Sequence, residues 1–101
     1  MKPAEVAEAA RKLLDPKKLP LPEKPKVVEI HVSPYVDHVG ENSLRVWVIL
    51  AEGTTRADRT VQNIRAIRRA ISDALLNAGI EEFPYTRFGM RSEIEEAGIE
   101  I

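Results

Sequence analysis

Two histidines and a small group of carboxylates are the residues of this sequence best suited to chemistry. Asp37 and His38 are adjacent and Glu41 follows three residues later, so their side chains could together bind a divalent cation. His31 could act as an acid–base group, because histidine titrates near neutral pH. Three ligands in one short loop lack a fourth partner and a rigid support, and a solvated loop is the simpler interpretation. We therefore predict no catalytic residue, no metal site and no cofactor.

The motifs of common enzyme classes are absent from the sequence. The five glycines lie far apart, so no glycine-rich loop is available to hold a phosphate. No serine has the G-x-S-x-G setting of a nucleophile elbow. The lack of cysteine removes thiol nucleophiles and cysteine-bound metal sites. The sequence predicts a protein that is not an enzyme.

A tryptophan on the unexpected face of a strand is the clearest sign of a binding surface. In the second predicted strand, Leu44 and every second residue after it form an apolar face, so Trp47 and Ile49 point the other way. That second face of a two-layer domain is normally polar, so Trp47 needs a cover, either the amino-terminal segment or a partner protein. We predict a protein interface made of His31, Tyr35, Arg45, Trp47 and Ile49.

Arginines on the long predicted helix form a second candidate surface, a basic strip. Such a strip could contact nucleic-acid phosphates or an acidic protein patch. Charge alternates by segment, at +3, −3, +4 and −5 along the chain, which also fits solvated faces that balance each other. The net charge of −1 and the lack of a G-x-x-G clamp disfavour nucleic-acid binding by this chain alone. The basic strip consists of Arg56, Arg59, Arg65, Arg68 and Arg69.

Hydrophobic periodicity predicts the order α, β, β, α, β, α for the elements that carry these residues. The second and third strands should be parallel, because a strand–helix–strand crossover is right-handed. We predict an α+β fold in which a two-layer, three-stranded mixed sheet of order 2-1-3 packs on one long helix. The predicted elements are a helix over 3–14, strands over 27–33, 44–52 and 82–88, a helix over about 56–78 with Thr60 as a rival start, and a short helix from a capping box at Ser92.

Three prolines between residues 20 and 25 predict an extended spacer. This spacer would divide the chain into a helical arm over 1–25, dispensable for the fold, and a single α+β domain over 26–101. The longest apolar run, Val46–Ala51, is far shorter than the roughly 20 residues that cross a bilayer. Together with the absence of cysteine, this run indicates a cytoplasmic protein without membrane contact.

Two segments resemble those of a group of small uncharacterised bacterial proteins. Residues 33–48 carry Tyr-x-Asp followed by Gly-Glu-Asn-Ser-Leu-Arg-Val, and residues 83–85 are Phe-Pro-Tyr. Some members of that group are encoded beside HEPN-domain proteins, which include RNase toxins. The resemblance covers residues 27–88 and implies a protein partner and an antitoxin-like role.

The sequence as a whole favours a small non-enzymatic interaction subunit. Its expected partner is another protein, in particular a HEPN-domain toxin as the resemblance implies, or a further copy of itself in a homo-oligomer. The alternative is a nucleic-acid-associated adaptor that uses the basic strip.

Overall fold

The computed structural model describes residues 2–101. The predicted α+β class is confirmed: a three-stranded mixed sheet carries a helix at each end of the chain and a long helix between its second and third strands. The elements are α1 (Pro3–Leu13), β1 (Val27–Val36), β2 (Asn42–Leu50), a 3-10 turn (Arg56–Asp58), α2 (Val61–Asn77), β3 (Pro84–Met90) and α3 (Arg91–Glu96).

The central strand of the sheet is β2, with β1 and β3 at the edges. It pairs antiparallel with β1 and parallel with β3, so the predicted parallel relation of the second and third strands is confirmed. The predicted order 2-1-3 is wrong. From Ser43 to Leu50 only Arg45 escapes full burial, which suits a central strand covered on both faces. Conversely, β1 contains Pro34, which lacks an N–H and suits an edge.

Both longer helices pack against the same face of the sheet. Thr55 and Asp58 form a capping box that closes only the 3-10 turn, and the Thr60 hydroxyl caps the start of α2. Val28 alternates with Ile30 and Val32 and would face the core in a regular strand, but it is half exposed because the register of β1 shifts between Val27 and Glu29. The main core comprises Val6, Ala7, Ala10 and Leu14, Val32 of β1, Leu44, Val46, Val48 and Leu50 of β2, and Ile67, Ile71 and Leu75 of α2.

The predicted arm shares this core with the rest of the chain. Ala7 and Ala10 are fully buried, and Leu14, just after α1, is 2% exposed. The Arg11 Nε also donates a hydrogen bond of 3.0 Å to the Val32 carbonyl of β1. Because α1 covers part of the sheet, we expect residues 1–25 to be required for the fold, in contrast to the expectation from the sequence.

Removal of residues 1–25 should abolish cooperative unfolding. Each valine or leucine that loses its cover forfeits about 1.5–3 kcal/mol, and a whole domain has only about 5–15 kcal/mol. We expect a chain that starts at Lys26 to melt over a broad range by circular dichroism. A matched chain without the exposed Glu100 and Ile101 should melt like the full protein. An unchanged sharp transition in the chain that starts at Lys26 would show that α1 is a true arm.

The opposite face of the sheet is partly covered by α3. Ile94 of α3 forms a second small core with Trp47 and Ile49, and all three are buried. Gly89 of β3 permits this close approach, because a Cβ at that position would lie 3.2 Å from Cγ1 of Ile94. The cover over Trp47 is therefore the carboxy-terminal helix, whereas the amino-terminal segment lies on the other face.

Carboxylates hold this six-residue helix in place. The capping box predicted at Ser92 is not formed; instead the Glu93 carboxylate accepts a hydrogen bond of 2.8 Å from the Met90 N–H and one of 2.7 Å from Arg59. Glu52 accepts hydrogen bonds from both the N–H and the hydroxyl of Ser92. A helix this short is unstable alone, so its position depends on these bonds and on Ile94.

Replacing Ile94 by alanine should uncover Trp47. Ile94→Ala empties the contact over the indole, and we expect a loss of about 2–5 kcal/mol in the free energy of unfolding. Trp47 is the only tryptophan, so its fluorescence emission should shift to the red in the folded variant. Ile101→Ala, at a residue 49% exposed, is the control: it should leave the emission unchanged and cost much less stability than Ile94→Ala. Identical emission from Ile94→Ala and the parent protein would contradict the assigned cover.

Candidate binding face

The short helix α3 divides the five predicted interface residues into two groups. Trp47 and Ile49 are buried beneath it. His31 lies half-buried at its margin, with Nε2 3.2 Å from a Glu29 carboxylate oxygen. Tyr35 and Arg45 lie beyond it, on the half of this sheet face that no helix within residues 2–101 covers. The structure thus brings together only part of the predicted interface.

Three aromatic rings from the two edges of the sheet meet on this uncovered half. The ring centres of Tyr35 and Tyr85 are 5.4 Å apart, those of Phe83 and Tyr85 are 4.8 Å apart, and both pairs meet edge to face. The Arg45 guanidinium lies 4.1 Å from the centre of the Tyr35 ring. Phe83 is 61% exposed although it is large and apolar. We call this surface the open half-face; it consists of Tyr35, Arg45, Phe83, Tyr85 and Arg87.

Asp37 fixes the hairpin end of the open half-face. Its Oδ1 accepts hydrogen bonds from the N–H groups of Val39 and Glu41, which closes the turn between β1 and β2. Its Oδ2 accepts hydrogen bonds of 3.3 Å from the Ser43 hydroxyl and 3.1 Å from the Tyr85 hydroxyl. These donors, the Glu41 N–H above all, lower the pKa of Asp37. Burial, and then the bond to Asp37, raise the pKa of Tyr85.

The metal-competent residues of the sequence do not form a metal centre. Within residues 2–101, no group of three or more histidine, aspartate and glutamate side chains is placed to hold an ion. Both oxygens of Asp37 are occupied by hydrogen bonds, and His38 is exposed on the turn. His31 belongs to a different cluster, in which Glu29 accepts a hydrogen bond from Arg91 of α3. That bond is the main cause of the lowered pKa of Glu29, and it ties α3 to β1.

A cavity of about 260 Å³ opens beside the open half-face, between β3 and α2. Arg45 of β2, Arg87 of β3 and Arg68 of α2 line it, together with aromatic rings but without any carboxylate. None of these three arginines takes part in the four ion pairs found within residues 2–101. Guanidinium groups bind carboxylates and phosphates in pairs of parallel hydrogen bonds, and exposed rings accept flat groups. The cavity is therefore suited to an anionic ligand group.

The predicted basic strip is not one continuous surface. Arg59 is paired with a carboxylate of α3 at 2.7 Å, and Arg56 is exposed in the 3-10 turn. Arg65, Arg68 and Arg69 all line a wider cavity of about 650 Å³ along α2. Arg68 alone among the five also reaches the cavity beside the open half-face. The structure thus separates Arg56 and Arg59, which precede α2, from the three arginines of α2.

Sequence reasoning missed Phe83, Tyr85 and Arg87 as binding residues. The third strand was predicted, but its alternation did not reveal which of its faces points inward. The register decides this, because Tyr85 pairs with Arg45 and Arg87 pairs with Trp47 in the parallel ladder. The available signal was the Phe-Pro-Tyr segment itself, which places two aromatic residues beside an edge-strand proline.

Comparisons with known proteins add no further guide to the role of this face. No protein-family model matches the chain, and no curated protein or solved structure matches it either. Across residues 2–101, none of the helices combines the length and the apolar composition that crossing a membrane requires. The functional argument therefore depends on the geometry of the open half-face and its cavity.

Asp37→Asn should weaken the fold in a pH-dependent way. The folded-state pKa of Asp37 is lowered, so its contribution is complete above its ordinary pKa of about 3.9 and is lost as the pH falls through the folded value. We expect the parent protein to exceed Asp37→Asn in free energy of unfolding by a constant amount between pH 7 and pH 5. This difference should shrink below about pH 4.

Urea unfolding at several pH values measures this difference directly. Asp73→Asn is the control, because Asp73 is exposed on α2 and its carboxylate forms no hydrogen bond within residues 2–101. The control should change the free energy of unfolding little at any pH. A gap between the parent and Asp37→Asn that widens as the pH falls would contradict the assigned role.

Proposed function

We propose that this protein is a non-enzymatic interaction subunit that binds an acidic surface of another protein through the open half-face. The observation that carries the proposal is the set of three arginines without acidic partners beside three clustered aromatic rings. Tyrosine and arginine are the residues most enriched in the energetic centres of protein interfaces. A carboxylate of the partner would pair with Arg45, Arg68 and Arg87, which form no ion pair within residues 2–101.

The rigidity of the open half-face supports the same function. Tyr85 is held by Asp37 at 3.1 Å, and the Tyr35 ring is held between Tyr85 and Arg45. Side chains that are already ordered lose less conformational entropy on binding than mobile ones, so more of the contact energy becomes affinity. Phe83 remains largely exposed and offers an apolar anchor at the rim.

The sequence resemblance indicates an identity for the partner protein. We propose a HEPN-domain protein of the RNase toxin type, with this chain as its antitoxin-like, cytoplasmic subunit. Tyr35 belongs to the Tyr-x-Asp pattern, and Phe83 and Tyr85 belong to the Phe-Pro-Tyr segment, so both resembling segments contribute to the open half-face. A homo-oligomer that uses the same surface is the competing arrangement.

Nucleic-acid binding is the second candidate function, favoured by one specific observation. Arg68, Arg45 and Arg87 converge beside aromatic rings on which bases could stack. The remaining exposed arginines of α2, Arg65 and Arg69, line a second cavity that Arg68 shares, and the Asp73 carboxylate in that cavity disfavours a continuous track for a phosphate backbone. The open half-face offers one compact anion-binding site, and this geometry favours an acidic protein over a nucleic-acid strand.

Charge reversal at Arg87 should weaken the complex with the proposed partner. We expect Arg87→Glu to lower the affinity for a co-expressed HEPN-domain protein at least about tenfold, because the new carboxylate would repel the carboxylate that the partner places there. Arg56→Glu is the control, because Arg56 is exposed but lies outside the cavity, and it should bind like the parent protein. Calorimetry with both variants, after circular dichroism confirms that they fold, measures the difference.

Two results would contradict the proposal. One is equal binding by Arg87→Glu and the parent protein, which would place the interface elsewhere. The other is tight binding of generic RNA that weakens steeply with salt and is lost in Arg87→Glu, which would favour the nucleic-acid function.

A further inference from the structure

The two edges of the sheet are protected to very different degrees. At the β1 edge, Pro34 lacks an N–H, the register shifts near Val27, and Arg11 of α1 donates a hydrogen bond to the Val32 carbonyl. Prolines, bulges and covering groups are the usual devices that prevent an edge from pairing with another strand. Within residues 2–101 the β3 edge has such devices only at its two ends, where Pro84 lacks an N–H and the Glu93 carboxylate accepts a hydrogen bond from the Met90 N–H. The β3 edge is therefore the one open to a further strand.

The direction of the free backbone groups of β3 follows from its pairing with β2. The Leu44 N–H donates a hydrogen bond of 2.9 Å to the Phe83 carbonyl, so Phe83 and every second residue after it turn their backbone groups towards β2. Thr86 and Phe88 consequently turn theirs outward. Within residues 2–101 the N–H groups of Thr86 and Phe88 donate no hydrogen bond to a group outside the sheet. Two donors and two acceptors thus point outward from β3, and those of Thr86 lie at the cavity.

The cavity beside the open half-face lies along this same edge. Its lining residues include Pro84 and Thr86 of the strand and Arg68 of the helix α2 opposite, so it is a groove between an edge strand and a helix. Arg45 and Arg87 complete it on the side of the open half-face. An extended segment in this groove would meet the outward backbone groups of Thr86 and the three guanidinium groups that line the cavity, with the outward groups of Phe88 further along the strand.

We propose that the partner enters this groove as an extended acidic segment and pairs with β3 as a fourth strand. Its backbone would bind the outward groups of Thr86 and Phe88, and its carboxylates would bind Arg45, Arg68 and Arg87. This inference rests on the proposed function, since it specifies how the acidic partner binds. A second copy of β3 is disfavoured as the occupant, because pairing the two edges would bring the arginines of both copies together.

A seven-residue peptide of alternating glutamate and valine is a suitable probe for this groove. We expect it to bind the full chain, to slow amide hydrogen exchange at Thr86 and Phe88, and to bind about tenfold more weakly when glutamine replaces glutamate. Arg68→Glu should weaken binding to a similar extent. Arg69→Glu is the matched control, because Arg69 is the adjacent arginine of α2 but does not line the groove.

N-methylation of the peptide tests strand pairing itself. A strand presents alternate N–H groups to opposite sides, so only one of two peptides should lose affinity, the one methylated at all valines or the one methylated at all glutamates. Equal tolerance of both, with binding still lost in Arg68→Glu, would overturn strand pairing and leave acidic-partner binding intact. Binding of the glutamine peptide as tight as that of the glutamate peptide would overturn the acidic specificity.

A heptauridylate RNA and the HEPN-domain protein separate the failure of this inference from the failure of the proposed function. Binding of the RNA but not of the peptide, lost in Arg68→Glu and kept in Arg69→Glu, would overturn both. No binding of the peptide at millimolar concentration would overturn strand pairing, while an Arg87-dependent complex with the HEPN-domain protein would still support the proposed function.

Discussion

The burial of β2 on both of its faces is the constraint on which the rest of the structure depends. Val46 and Val48 need a cover on one side, and Trp47 and Ile49 need a cover on the other. Strands at each edge must satisfy its backbone groups, because unpaired buried N–H and carbonyl groups are costly. The chain meets these demands with two helices on one face, one short helix on the other, and an antiparallel and a parallel neighbour.

The unequal size of these covers creates the candidate site. β2 has nine residues and spans about 30 Å, whereas the six residues of α3 span about 9 Å. α3 therefore covers only the carboxyl-terminal half of the strand, over Trp47. The acidic residues Glu29, Glu52 and Glu93 are all used to hold α3, so they are not available to the arginines at the other end. An uncovered half-face with unpaired guanidinium groups follows from this division of charge.

The candidate site was only partly predictable, and the reason lies in the distance along the chain between its members. The alternation of β2 separates Arg45 and Trp47 from the core face, as in the structure, and Tyr35 lies on the same sheet face through its pairing with Ser43. Nothing local indicated that Tyr85 hydrogen-bonds to Asp37, 48 residues earlier, or that Arg68 meets Arg45 in one cavity. Such contacts depend on the register of β3 against β2, which no short segment encodes.

The sequence by itself determined the kinds of elements, their order and the parallel relation of the last two strands, because periodicity, capping residues and crossover handedness are local or nearly local rules. Only the tertiary structure decided which strand is central. Two strands could occupy that position, and the apolar area buried by the whole fold determines which one does. It also decided that α1 joins the core despite its proline-rich spacer and that α3, not α1, covers Trp47. These outcomes depend on which distant segments bury apolar surface against one another. That burial contributes free energy only when the segments are in contact.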